Sequence, residues 1–229
     1  MIAAIVPACN EEDTIGACLR SLMAASHCPR LRGEATLLVV ALDTCTDATE
    51  QIARSAGAAV VVVDCRNVGM ARSAGAQMAL QAGARWLSFT DADTLVAPNW
   101  FSAQLAQSTD AVCGTVAVPD WGHYGERMRR HFEATYTDAD GHRHIHGANL
   151  GVSADAYRRA GGFRPLASSE DVALVQALQD SGASIAWTAA PRVLTSARRN
   201  FRAPGGFGAT LQRVADQASW HAAAAGACG

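Results

Sequence analysis

Lysine is absent from this chain of 229 residues, so all 19 of its basic side chains, histidine aside, are arginine. That absence excludes a Schiff-base lysine and a P-loop lysine. A phosphate handled here must be met by arginine, metal or backbone. Charge is scarce altogether: 17% of residues are Asp, Glu, Lys or Arg, against about 25% in typical globular proteins. With a net charge of −2, a nucleic-acid binder relying on a basic surface is not expected. No run of 18 apolar residues occurs, so no membrane span is expected. The apolar start, Met1 to Pro7, has no basic leader and is too short for a signal peptide; it reads as a buried first strand. The seven cysteines (Cys9, Cys18, Cys28, Cys45, Cys65, Cys113, Cys228) are odd in number and never spaced C-x-x-C. This suits reduced thiols in a cytoplasmic protein, not a disulfide framework or a zinc site. Alanine, in contrast, fills 48 positions; the bias of a GC-rich genome explains both it and the arginine-for-lysine usage.

The apolar residues that remain set out an alternating order. Ile2–Val6, Thr36–Leu42, Ala58–Val63, Trp86–Phe89 and Ala111–Val118 read as strands. Between them, Thr14–Ala25, Asp47–Ala56, Met70–Ala82 and a segment opening at Pro98 read as helices. Strands apolar on both faces and separated by helices predict an α/β fold: a mainly parallel central sheet with helices on both faces. The second half is less regular. Residues 119–146 are polar, with Trp121, Tyr124 and a histidine-rich end. Short helices are expected at Ser153–Arg159 and from Ser169, a strand at Ser184–Thr188, a loop at Ala203–Gly206 and a terminal helix over Ala209–Ala225. One domain over 1–229 is expected, its first 118 residues forming one half, 119–202 the other, and 203–229 a terminal loop and helix.

In a parallel sheet of this kind ligands gather at the carboxyl ends of the strands. The residues that follow each strand are therefore informative. They are Pro7 to Glu12, Asp43 to Asp47, Asp64 to Asn67, and Asp91-Ala92-Asp93-Thr94. Acids and amides reach one edge, which suits a metal and a polar ligand. Asp91-x-Asp93 is the sharpest candidate, since two carboxylates at a strand end can meet one Mg²⁺ or Mn²⁺. A second pair of the same spacing, Asp138 and Asp140, lies in an irregular polar stretch and reads as a turn. His142, His144 and His146 would share one face of a strand. They could supply a metal ligand, with His146 the candidate because it abuts Gly147, or line a site, or form a polar loop.

Taken together, these segments resemble the inverting glycosyltransferases of family 2, which have the GT-A fold. Val6 to Glu12 resembles their "IPxxNEE" opening, and Asp43 to Thr49 their "DDGSTDGT" turn, with Leu42 where many members carry the first aspartate. Asn67 to Gly75 is similar to "NxGxaxARNxG", and Asp91-Ala92-Asp93 to the metal motif. Gly147-Ala148-Asn149 and Gly161-Gly162-Phe163 look like the acceptor-side segment, and Glu170-Asp171 like the "ED" pair. The resemblance spans roughly residues 1–200. It implies a metal-dependent enzyme, using Mn²⁺ or Mg²⁺, that moves a sugar from a nucleotide-diphosphate donor, expected to be a UDP-sugar, to an acceptor hydroxyl. Pro7, Asn10, Glu11 and Asp43 would hold the nucleoside, Arg72 would lie near the nucleotide end of the donor, and Asp91 and Asp93 would hold ribose, diphosphate and metal. Gly147, Ala148, Asn149 and Glu170 would meet the acceptor, and Asp171 would take its proton. No Q-x-x-R-W segment is present, which points away from a processive polysaccharide synthase.

Simpler readings stand beside these. Asn10 and Glu11 can cap a helix, Asp47 can be an N-cap, and Glu170 and Asp171 suit the first turn of a helix through its dipole. Two other functions compete: a nucleotidyltransferase of related fold, and a non-catalytic nucleotide-sugar binder. The first lacks a glycine-rich, basic loop near the N-terminus.

Overall fold

Four parallel strands carry one edge of the molecule. In the computed structural model, which describes residues 1–198 and 211–213, these are β1 (Ile2–Ala8), β2 (Thr36–Asp43), β3 (Ala59–Val63) and β4 (Trp86–Phe89). Every residue of β1 and β4 is buried, as expected for strands covered on both faces. The register sets Ala8 beside Leu42, Asp43 beside Val63 and Ile5 beside Phe89. β1, β2 and β3 therefore end together, β4 ends three residues short of β1, and the segments after all four share one rim.

The helices between them are α1 (Ile15–Ser26), α2 (Thr49–Ser55) and α3 (Val68–Gln81), followed by the two-residue β5 (Leu95–Val96) and by α4 (Trp100–Leu105). The side chain of Asn67 caps α3 by accepting from the Met70 amide at 2.9 Å. The alanine-rich composition is used in α3, whose buried stripe is Gly69, Ala71, Arg72, Gly75, Ala76 and Ala79. At Gly75 a Cβ would come within 2.6 Å of the Ile5 side chain, so the helix can lie this close to the sheet only with glycine there.

The second half completes the same sheet. Its elements are β6 (Ala111–Gly114), α5 (Gly125–Thr135), β7 (Leu150–Ser153), α6 (Ala154–Arg159), α7 (Glu170–Asp180), β8 (Ile185–Thr188) and β9 (Val193–Leu194). The sheet order is β3-β2-β1-β4-β7-β6-β8, and β5 pairs with β9 in a separate two-stranded ribbon. β7 runs antiparallel to both β4 and β6. Leu150, its first residue, faces Phe89, the last of β4. The chain entering β7 thus crosses the rim on which the parallel strands end, and this reversal delivers 142–149 to it.

The expected strand at Ala111–Val118 stops at Gly114. The helix α5 lies where a polar, less regular stretch is expected. Ser153 caps α6 through the Ala156 amide. The expected loop at Ala203–Gly206 and most of the expected terminal helix lie outside the described residues. No described helix is long and apolar enough to cross a membrane, and the described cysteines are all unpaired.

Candidate active site

A cavity of about 720 Å³ opens along the rim, within the range usual for small-ligand sites. Pro7, Glu11, Asp43, Arg72, Asp91, Asp93, His146, Gly147, Ala148, Glu170 and Asp171 all line it. Of the sequence-predicted site residues, Asn10 and Asn149 do not.

Asn10 adopts a left-handed backbone, φ 53°, a conformation asparagine tolerates better than most residues. Its Oδ1 accepts from the Thr46 amide at 2.7 Å. Glu12 and Asp47 lock the same two loops reciprocally: the Glu12 amide donates to Asp47, and the Ala48 amide donates to Glu12. This pair of polar loops holds the wall of the cavity in place. Asp43 is 5% exposed. One of its oxygens accepts from the Cys65 and Arg66 amides, both at 2.9 Å, and the other from the Asn67 amide at 2.7 Å. Its carboxylate shapes the 65–67 loop that ends in the cap of α3.

The centre of the cavity is a chain of acids and arginines. Arg72 is 4% exposed. One terminal nitrogen of its guanidinium donates to Glu170, and the other donates to Asp91 at 2.6 Å. A Cβ at Gly147 would collide with this guanidinium, so glycine is required where the backbone passes over it. Burial works against the Arg72 charge, but Asp91, Glu170 and Asp171 hold it firmly protonated. Arg198, from the strand-like segment after β9, reaches Glu11 with both terminal nitrogens at 2.5 Å and Asp93 with Nε at 3.2 Å. Burial, and then the neighbouring Asp91 charge, push the Asp93 carboxyl up to about 6, against the pull of Arg198. Two arginines therefore compensate the acids at the end of β4.

On the far wall, α7 starts at Glu170 after Ser169, whose φ is 61°. This non-glycine left-handed residue turns the chain so that both acids of the first helical turn face the cavity. Asp171 Oδ2 accepts from the Gly147 amide at 2.8 Å and Oδ1 from the Val172 amide at 2.8 Å. Each oxygen keeps lone-pair capacity for a further proton.

A model of the family described as Glycosyl transferase family 2 matches residues 3–161. The chain belongs to that family. A search of curated proteins found no match. Among solved structures, S. aureus TarS 1-349 in complex with UDP-GlcNAc is 16% identical with a TM-score of 0.67, covering 93% of this chain and 65% of that one. A mannosyltransferase from Pyrobaculum calidifontis in complex with GDP-Man and Mn²⁺ is 17% identical with a TM-score of 0.64, covering 87% and 57%. Glucosyl-3-phosphoglycerate synthase from Mycobacterium tuberculosis, in complex with Mn²⁺, UDP and glucosyl-3-phosphoglycerate, is 19% identical with a TM-score of 0.59, covering 86% and 72%. These likenesses establish the GT-A fold. The family 2 chain spans between 36% and 65% of each of the four TarS chains it is compared with.

Within this family 2 chain, two sequence-based expectations need correction. Asn149 was expected among the acceptor contacts, yet it is 1% exposed. Its Oδ1 accepts from the Trp100 indole at 2.9 Å, while its Nδ2 donates to the Thr115 and Pro191 carbonyls at 2.7 and 2.8 Å. It staples α4, the end of β6 and the start of the β9 segment. Asn149→Ala should cost about 4 kcal/mol, since three buried groups lose their partner at about 1–3 kcal/mol each. In a calorimetric melt that corresponds to a fall of about 10 °C; a fall under about 3 °C would contradict the staple.

His146, expected as a third metal ligand, does not form a three-ligand group with Asp91 and Asp93; no such group exists among the described residues. Its Nε2 lies 2.9 Å from the Tyr136 hydroxyl, which accepts from the Val116 amide. The three histidines are not on a strand, but their rings still stack in a row. Burial, with His144 and His142 beside it, pushes His146 down from the ordinary 6.5 to about 4. A depressed histidine means that the unfolded chain binds the proton more readily, so stability is lost as pH falls below about 6.5. Between pH 7 and 5 this group alone should remove about 2 kcal/mol. Urea midpoints measured across that range should fall for the unmodified protein and fall visibly less for His146→Gln.

The Asp138/Asp140 pair does form an exposed turn. It also ties that turn to the sheet, since Asp138 accepts from Thr115 and Asp140 from Thr188 and the Ala189 amide.

Proposed function

We propose that this protein is a metal-dependent glycosyltransferase that transfers a sugar from a UDP-sugar to an acceptor hydroxyl with inversion, in the cytoplasm. The observation that carries the reading is the arrangement of the cavity: acids at the end of β4 on one wall, Asp171 on the other, and Arg72 joined to both sides through Asp91 and Glu170. In this reading residues 1–118 hold the donor, with Pro7, Glu11 and the loop shaped by Asp43 around the nucleoside. The stretch from 119 to 198 meets the acceptor.

Asp91 and Asp93 would hold Mn²⁺ or Mg²⁺. Two carboxylates at a strand end suit such an ion when the rest of its ligands are diphosphate oxygens, the usual mode for Mg²⁺; the described side chains offer no third ligand beside them. When bound, the ion supplies neutralising charge to the diphosphate. The protein's own part is to position and to move one proton. Asp171 accepts the proton of the acceptor hydroxyl as its oxygen attacks the anomeric carbon. The new carbon–oxygen bond forms as the bond to the diphosphate breaks, and the nucleoside diphosphate leaves with that electron pair. Arg198 would release Glu11 and Asp93 when donor arrives, and its charge then faces the diphosphate, a task that no lysine is present to perform.

A thermal-shift panel of nucleotide sugars with Mn²⁺ tests this. UDP-sugars should raise the melting temperature, and EDTA should abolish the rise. If no nucleoside diphosphate shifts the melt in the presence of Mn²⁺, the donor site has been misassigned.

A further inference from the structure

The cavity continues past Asp171 into a region whose wall is built differently. Met128, Phe132, Tyr136, Ile145, Val172 and Leu211 line it. A row of rings runs along one side: Trp121 and Phe132 at 5.2 Å, Phe132 and Tyr136 stacked at 4.4 Å, Tyr136 and His144 stacked at 4.1 Å, then His144 and His146 at 6.0 Å. The row ends beside Gly147, whose amide holds Asp171. Several polar groups of this wall are spent on the protein itself, while the His131 imidazole also lines the cavity. Thr135 Oγ1 donates to the His131 carbonyl, the Tyr136 hydroxyl sits between the Val116 amide and His146, and His144 Nε2 accepts from the Thr137 amide.

Charge is distributed in the same sense. The only arginines among the described lining residues are Arg66, Arg72 and Arg198. Arg198 is shared between two acids at the donor end, and Arg72 between Asp91 there and Glu170 on the far wall. With no lysine in the chain, no further fixed cation lines the cavity among the described residues. Val172, directly after Asp171, is 46% exposed, an aliphatic side chain left open beside the proposed base.

We infer that the acceptor is an uncharged alcohol with an apolar body, its hydroxyl at Asp171 and its hydrocarbon along the Phe132–Tyr136 wall. A phosphorylated or carboxylated acceptor would find no described arginine along this apolar wall, and a sugar would meet few open hydrogen-bonding groups there. The inference rests on the transferase reading, because it assigns this region to that reaction's acceptor.

The test is a binding experiment on the full chain with the uncharged fluorophore N-phenyl-1-naphthylamine. Its emission should rise on binding, and decan-1-ol should displace it. Glycerol 3-phosphate and methyl glucoside at a hundredfold higher concentration should not. Phe132→Ala, and independently Val172→Asp, should weaken the probe about tenfold, in line with the loss of an aromatic contact and its buried area; Val172 is exposed enough for the second change to leave folding intact. No rise in emission, equal displacement by glycerol 3-phosphate, or full probe affinity in both variants would each overturn the inference. A separate titration with UDP and Mn²⁺ reads the donor site. Failure there counts against the transferase reading, whereas failure of the probe alone counts only against the apolar acceptor.

Discussion

Asp171→Asn should lower sugar transfer by about 10³-fold while UDP binding, followed by thermal shift, stays within twofold of the unmodified protein. The magnitude is that of a positioned base in a proton transfer, typically 10²–10⁴-fold, or about 4 kcal/mol in barrier height. Asparagine fits the same space, and its amide oxygen can still accept from the Gly147 amide as Asp171 does at 2.8 Å. The loop over Arg72 therefore keeps its place, and what is lost is the capacity to take a proton. Asp171→Ala would confuse these effects, because it frees the Gly147 amide as well. The position at the first turn of α7 has a simpler explanation, in that acids there interact favourably with the helix dipole by about 0.3–1 kcal/mol. Kinetics separates the two: a dipole contribution is common to ground and transition states and would leave turnover intact. Transfer retained at more than a tenth of the original rate would remove Asp171 from its role.

How far the sequence reaches into this site depends on the kind of signal each residue leaves. The parallel half is legible because its strands read as unbroken apolar runs, with β1 and β4 buried throughout. Their endings then place Asp43, Asp91 and Asp93 on one rim with no further information. The antiparallel strand β7 is harder, since Leu150 to Ser153 is only four residues long and no local pattern announces a reversal. Its consequence, the delivery of His146 and Gly147 to the rim, is a property of topology. Helix α5 did leave a trace: Trp121, Tyr124, Met128, Phe132 and Tyr136 recur at helical spacing. The polar residues between them hid that period, because α5 buries only Met128 fully.

Asn149 shows the opposite limit. A motif can place a residue next to a site and still say nothing of which way the side chain points. Here it points into the core, where Trp100 takes its carbonyl oxygen and Thr115 and Pro191 take both of its amide protons. Arg198 is visible as a basic pair with Arg199, but its bridge to Glu11 spans almost the whole chain, a separation at which spacing carries no information.

A large effect on stability, matched only by that at Asn149, is expected at Arg72. Its guanidinium is the one group that touches both walls, donating to Asp91 and to Glu170, with Phe163 5.8 Å from its charge. Arg72→Met keeps the aliphatic length and removes the cation. The Glu170 side chain, 8% exposed, is then left without its partner, and breaking one side of a buried pair costs about 3–5 kcal/mol. A melting temperature lower by about 10 °C follows for a domain of this size. Arg72→Lys should recover little, because a single ammonium cannot place two parallel donors on two carboxylates as the planar fork does. The chain's complete reliance on arginine is thus a structural requirement at this position, whatever genomic bias accounts for the rest. A double-mutant cycle isolates the cause. Glu170→Gln alone should destabilise moderately, and Arg72→Met with Glu170→Gln should be more stable than Arg72→Met alone by about 2 kcal/mol, since the buried uncompensated charge is gone. If the second change adds to the first instead of relieving it, the ion pair is incidental and Arg72 stabilises the fold by packing alone.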